Sequence, residues 1–325
     1  MALRIGMIIG SSRLFGGARD LALDIINSIL QSPHRLTVVF VEPNDPALSY
    51  FSLRQHNIPT FVLPDTFCGT YREICKKITE PPFVTAFDQL KKIPFDLGFS
   101  FYANWLPPAV IGLPRFGFIN LHPAPLPMLT GYEAERFHVL MDHRKSWGTI
   151  HYLAEKFDVG NILARGDTVE LPEDMTPMTV YEQLITNCIP ALHQVFDTFA
   201  LTDKPIIGES QNETLRTYAT YREAVRESVI QWERDSNRKL DCRFRAYCTA
   251  NDGLTLHAMI NQQLCEIVNM MVLPDHHPNS KILNNKKCVP GQIVGKYQQH
   301  DQFYNAPIIK TLEGIAVVKI KTETK

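Results

Sequence analysis

Three polar side chains stand where chemistry needs them. Asn120 and His122 flank Leu121 at the end of the apolar run Phe116–Leu121 (FGFINL), and the alternation of a strand turns both to one face. Asp158 follows in the turn 155–160, after the run Trp147–Leu153 (WGTIHYL) and just before Gly160, a residue that permits close backbone approach. An amide, an imidazole and a carboxylate suit acyl transfer to an amine. As the amine attacks, negative charge builds on the acyl oxygen, and fixed N–H donors stabilise it. The imidazole can also move a proton near neutral pH. The carboxylate can orient the imidazole, raise its pKa or hold a water that relays protons. The amine is itself the nucleophile, so no serine or cysteine is required. Taken alone, an N-x-H pair is more often a satisfied core histidine, and a D-x-G turn is common. The weight lies in their conjunction with the surrounding sequence.

The elements that must carry these residues alternate in type. Ile5–Ile9 reads as a buried strand, 10–19 (GSSRLFGGAR) as a Gly/Ser-rich turn, and 20–30 as a helix. Leu36–Val41, Phe61–Leu63, Phe95–Tyr102, Phe116–Leu121 and Trp147–Leu153 read as further strands, with helices expected at 51–57, 134–142 and 179–199. Strands alternating with helices imply an α/β fold with a doubly wound, mostly parallel sheet. Ligands of such sheets bind beyond the carboxyl ends of the strands, where Asn120 and His122 fall. The proline-rich stretch 123–127 (PAPLP) can be neither helix nor sheet interior, so it must be a stiff loop after His122. After Leu240 short β-like runs separated by turn residues suggest a small all-β domain. The expected organisation is a catalytic domain over 1–200, a linker with an embedded helix over 201–237, and a small C-terminal β domain over 238–325.

The run Phe118–Pro127 (FINLHPAPLP), with Gly131, resembles the signature of folate-dependent formyltransferases, and Trp147–Leu163 (WGTIHYLAEKFDVGNIL) resembles that family's second block. The resemblance covers roughly residues 1–200 and implies a Rossmann-like fold with Asn120, His122 and Asp158 as the catalytic trio. It implies 10-formyl-tetrahydrofolate as formyl donor. It also implies a pterin pocket lined by Phe101, Tyr102, Ala103, Asn104, Trp105 and Leu106 with Glu155, Lys156 and Phe157, largely through backbone groups. Residues 240–321 resemble the OB-like domain that follows the catalytic domain in the methionyl-tRNA and sugar N-formyltransferase branches. One departure stands out. The family loop carries an arginine before its glycine, and here Met128–Leu129–Thr130 precedes Gly131.

The acceptor is less defined. The turn 10–13 with Arg13 could hold a phosphate at a helix N-terminus or be an ordinary tight turn. Tyr132 and Glu133 are acceptor-pocket candidates by position. The segment 44–52 has no Lys or Arg, which counts against a tRNA acceptor, since phosphate neutralisation dominates RNA affinity. From Arg238 onward about 12 Lys/Arg face about 7 Asp/Glu, a mild basic bias that a solvated face explains as well as an RNA does. A small amine, above all a nucleotide-linked amino sugar, is the expected acceptor. Methionyl-tRNA is the alternative, and a folate-binding regulatory protein or a folate hydrolase the readings of other kinds.

A formal net charge of -1 on 325 residues calls for neither nucleic acid nor a membrane surface. Seven cysteines without a C-x-x-C pair fit reduced thiols in the cytoplasm. His138, His143 and His151 lack the spaced carboxylates or cysteines of a metal site, so no metal is expected.

Overall fold

The computed structural model describes residues 1–10, 16–41, 58–63, 71–103, 105–250, 253–274, 277, 288–298 and 302–321. The expected helix at 51–57, the segment 44–52, Arg13 and Asn104 lie outside the described residues.

Seven strands form the principal sheet: β1 (Arg4–Ile9), β2 (Arg35–Val41), β3 (Thr60–Val62), β4 (Leu97–Phe101), β5 (Phe118–His122), β7 (Thr149–Tyr152) and β8 (Ile162–Arg165); a two-residue strand, β6 (Lys145–Ser146), pairs separately with β9 (Val169–Glu170). Their order is β3-β2-β1-β4-β5-β7-β8. The first five run parallel, while β7 and β8 add as an antiparallel edge. Strands covered on both faces read as unbroken apolar runs, as RIGMII and LGFSF do. The helix Gly16–Leu30 crosses from β1 to β2 and buries Leu21, Ala22, Ile25, Ile26 and Ile29, the spacing of one helical face. This is the expected mostly parallel α/β domain.

The expected long helix over 179–199 is two helices, Pro177–Thr186 and Ile189–Thr202. Pro190 sits in the first turn of the second; its ring lacks an N–H and would clash with the turn before it.

The small β domain is a second sheet of β10 (Val229–Ile230), β11 (Leu256–Ile260), β12 (Gln263–Pro274), β13 (Ile293–Lys296), β14 (Pro307–Lys310) and β15 (Gly314–Ile320), ordered β10-β11-β12-β15-β14-β13. The helix Asn237–Cys248 precedes its main strands, where β structure alone was expected after Leu240. Its sequence, NRKLDCRFRAYC, hides an amphipathic pattern because the buried face includes Arg243 and Arg245. Ser236 caps it by accepting from the Lys239 N–H.

Packing divides the chain into two compact units that are not contiguous in sequence. One comprises Met1–Gly131, Lys145–Leu171 and Tyr181–Tyr218; the other comprises Tyr132–Arg144, Pro172–Val180 and Ala219–Lys325. The helix Ala134–Leu140 therefore belongs with the C-terminal unit, and 201–218 with the sheet of the first. The division at 200 and 237 into a catalytic domain, a linker and a small β domain stands as a proposal, and packing draws its own lines. No helix among the described residues is long and apolar enough to cross a membrane. The six described cysteines are free thiols.

Candidate active site

β5 delivers Asn120 and His122 on one face, and its antiparallel partner β7 sets His151 opposite Asn120. Asp158 follows in the turn between β7 and β8 with a left-handed φ of 54°, a conformation Asp adopts more readily than most residues. Gly160 is required there: a Cβ at that position would lie 1.9 Å from the Tyr152 carbonyl oxygen. The trio predicted from sequence is thereby brought together. His122 Nδ1 lies 3.7 Å from Asp158 Oδ2, and both side chains are buried.

Hydrogen bonds constrain the protons of both histidines. His122 Nε2 lies 2.9 Å from the Leu129 carbonyl, which can only accept, so Nε2 carries a proton and Nδ1 is the ring nitrogen that faces Asp158. His151 Nδ1 donates to the Tyr152 carbonyl at 2.8 Å, which leaves Nε2 to accept from Asn120 Nδ2 at 3.2 Å. His151 thus sets the orientation of the Asn120 amide. Asn120 is only partly buried, so its second N–H and its oxygen remain available to a reacting group. Asp158 lies between the two imidazoles: Oδ2 faces His122 and accepts the Gly131 N–H at 2.9 Å, while Oδ1 lies 3.6 Å from His151 Nε2.

Burial pulls the His151 pKa down to about 4, against an opposing upward pull from Asp158. At neutral pH it is an uncharged acceptor, as its role toward Asn120 demands. The unfolded chain takes up this proton near 6.5 and the folded protein only near 4, so stability is lost as pH falls through that window, by roughly 3 kcal/mol. Urea unfolding across the window should show this slope in the wild type and a shallower one in His151→Gln, which cannot take up a proton. Equal slopes would contradict the assignment of His151 as a neutral buried acceptor.

The loop after His122 is strained and strapped. Leu129 has φ 56°, unusual for a branched residue and costing on the order of 1–3 kcal/mol. The segment 211–218 holds it down. Thr217 accepts the Leu129 N–H on its hydroxyl and the Thr130 N–H on its carbonyl, both at 2.9 Å. Gln211 donates to the carbonyls of Asp158 and Gly160, both at 2.8 Å, and Arg216 reaches Thr130 Oγ1 at 2.8 Å. None of this segment was singled out from sequence, because nothing local marks a loop as a strap. His151 carried a signal that was read only as a candidate metal ligand: a polar residue inside an apolar strand, like Asn120.

The other predicted residues fall as follows. Tyr102 and Ala103 lie just past β4, with Tyr102 at φ 60°. Gly10 passes so close that a Cβ there would meet the Tyr102 carbonyl oxygen at 2.0 Å. Trp105 Nε1 donates to the Glu155 carbonyl at 2.7 Å, joining the two segments expected to line the pterin pocket. Phe101, Trp105 and Leu106 are buried, whereas Glu155, Lys156 and Phe157 are exposed. The Phe101 ring is committed to the core beside Phe99 and Tyr181, and its carbonyl accepts the Gly10 N–H at 3.0 Å. Tyr132 and Glu133 belong to the other packing unit, where the buried Glu133 carboxylate is paired with Arg136 at 2.8 Å. His138 and His143 stack on each other in that same unit, whereas His151 belongs to the first.

The sequence profile of the formyl transferase family matches residues 14–195. The methionyl-tRNA formyltransferase of Methylobacillus flagellatus is 23% identical over 254 residues, 78% of this chain and 79% of that protein. Among solved structures, the N-formyltransferase of Helicobacter canadensis, determined with folinic acid and dTDP-3-aminofucose, superposes with TM-score 0.60 at 13% identity, covering 99% of this chain and 100% of that one. HypX from Aquifex aeolicus, determined with tetrahydrofolic acid, gives TM-score 0.59 at 14% identity and covers this whole chain, which spans only 45% of HypX. At such identities the structural likeness speaks for the fold, and the profile, which spans more than half of the chain, speaks for descent. The chain belongs to the formyl transferase family.

Proposed function

We propose that this enzyme moves the formyl group of 10-formyl-tetrahydrofolate onto the amine of a small acceptor, a nucleotide-linked amino sugar, with Asn120, His122 and Asp158 as the catalytic residues. Formyl transfer follows from the family; the acceptor is the new element. The observation that carries it is the fate of the basic residues in the C-terminal unit. Arg243 and Arg245 are 3% and 7% exposed and engaged with Asp235 and Asp241, and Arg238 pairs with Asp142. The mild basic bias of this region is spent partly on internal ion pairs, which leaves less for a tRNA backbone.

The residues present fit a folate. The strands end beside the two segments that the Trp105–Glu155 hydrogen bond ties together, and backbone groups of these segments would hold the hydrogen-bonding edge of a pterin. When bound, the folate supplies the activated formyl carbon. Asn120, its amide oriented by neutral His151, presents an N–H to the oxygen on which charge develops. His122 offers the Nδ1 lone pair to the proton leaving the amine, and Asp158 stabilises the resulting imidazolium through Oδ2. This division of labour needs all three side chains, which speaks against a folate-binding protein without activity. The six described free thiols accord with a reducing cytoplasm.

The second reading, methionyl-tRNA as acceptor, is favoured by the 23% identical relative named for that activity. One experiment separates them: 10-formyl-tetrahydrofolate is supplied with dTDP-3-aminofucose or with charged initiator tRNA, and acceptor mass and filter binding are read at several salt concentrations. We expect a formylated sugar, and no tRNA binding that weakens by orders of magnitude between about 50 and 200 mM salt. Salt-steep tRNA binding with formylated methionine would overturn the proposal.

A further inference from the structure

We propose that Arg216 is a positioning residue for formyl transfer, supplying from a distant segment the cation that the loop after His122 lacks. The proposal rests on the formyl-transfer reading of the site. Arg216 lies 86 positions beyond Thr130, and its Nη1 donates to Thr130 Oγ1 at 2.8 Å and to the Asp158 carbonyl at 3.4 Å. Its side chain is 3% exposed. Nη2 and Nε grip the exposed Glu213 carboxylate at 2.6 and 2.8 Å, and Nη2 also reaches Gln211 Oε1 at 3.2 Å. The fork therefore touches both catalytic loops and the strap over them.

Thr130 is the junction. The residue before it, Leu129, receives the His122 Nε2–H on its carbonyl, and the residue after it, Gly131, gives its N–H to Asp158 Oδ2. Thr130 is buried, and its hydroxyl donates to the Pro127 carbonyl at 3.0 Å, so its lone pairs are free to accept from Arg216. One guanidinium thus fixes the residue between the two contacts that define the tautomer of His122 and the placement of Asp158. The sequence agrees. The loop 123–131 has no Lys or Arg of its own, and Thr130, the residue before Gly131, has an arginine folded onto it. A planar fork with several fixed donors does this and a lysine ammonium does not.

The test uses the full chain. In Arg216→Lys and Arg216→Ala, kcat with 10-formyl-tetrahydrofolate and dTDP-3-aminofucose should fall about 10- to 100-fold while KM for the folate stays within about threefold, because displaced catalytic groups cost turnover more than binding. Guanidinium ion at non-denaturing concentration should restore part of the Arg216→Ala rate and none of the Arg216→Lys rate. Thr130→Val should be non-additive with Arg216→Ala. Nitrogen NMR of labelled histidine gives a readout independent of the acceptor: His122 should report Nε2–H in the wild type and a tautomer mixture in Arg216→Ala. If the wild type formylates no tested amine yet this signal responds, positioning stands and the acceptor assignment fails. An unchanged His122 signal in Arg216→Ala, or wild-type kcat in Arg216→Lys, would overturn the proposal.

Discussion

Turnover of His122→Ala is expected to fall at least about a hundredfold, and that of Asp158→Ala by a similar factor, with the fold retained in both. His122 Nδ1 faces Asp158 Oδ2 at 3.7 Å, and its other nitrogen is already committed to the Leu129 carbonyl. In the proposed mechanism alanine removes the proton acceptor without leaving a substitute. Asp158→Asn is the sharper variant, since it keeps an oxygen for the Gly131 N–H and removes only the charge that stabilises the imidazolium. Because Nδ1 and Oδ2 stand 3.7 Å apart, the effect should be electrostatic more than mechanical. Folate affinity and circular dichroism should stay near wild type. Single-turnover rates within tenfold of wild type for either purified variant would remove these residues from the reaction.

Much of this site was legible in the sequence because its signals are local. Asn120 and His122 are two apart on a strand, and period-two alternation is enough to put them on one face. Asp158 stood before Gly160, and the need for a glycine there is visible once Tyr152 is seen behind it. His151 was half visible, as a polar residue in an apolar strand, but its role depends on which residue of β5 it faces, and cross-strand register is not written locally. Arg216 and Thr217 act from a polar segment whose composition says only that it is exposed chain. In the fold, the alternation of strands and helices gave the sheet, whereas the helix Asn237–Cys248 was hidden by arginines that are buried because carboxylates meet them.

Gly160→Ala is expected to destabilise the protein by roughly 3 kcal/mol and to cut turnover by well over tenfold. The added methyl would meet the Tyr152 carbonyl oxygen, an atom of the sheet backbone, so no side-chain rotation relieves the clash. The turn must move instead. Asp158 lies two residues earlier in a left-handed conformation, and Gln211 binds both Asp158 and Gly160 carbonyls, so displacement of one carries the other. Urea unfolding and kcat would be read on the same preparation. A stable, fully active Gly160→Ala would mean that the turn tolerates a side chain and that its tightness does not position Asp158.

The interleaving of the two packing units bears on how the molecule is made. The helix Ala134–Leu140 buries Ala134, Glu135, Arg136, His138, Val139 and Leu140 in a unit whose largest piece begins only at Ala219. Arg136 illustrates the dependence: it is 1% exposed, stacks over the Tyr247 ring and donates to the Ala246 carbonyl. During synthesis this helix leaves the ribosome long before the residues that cover it. A nascent chain ending near 218 would hold a completed α/β sheet together with a helix whose unit still lacks everything from Ala219 onward, which is a surface for chaperones or for aggregation. No single cut can separate the catalytic unit from its companion, so recombination or domain grafting within this lineage would have to move both together.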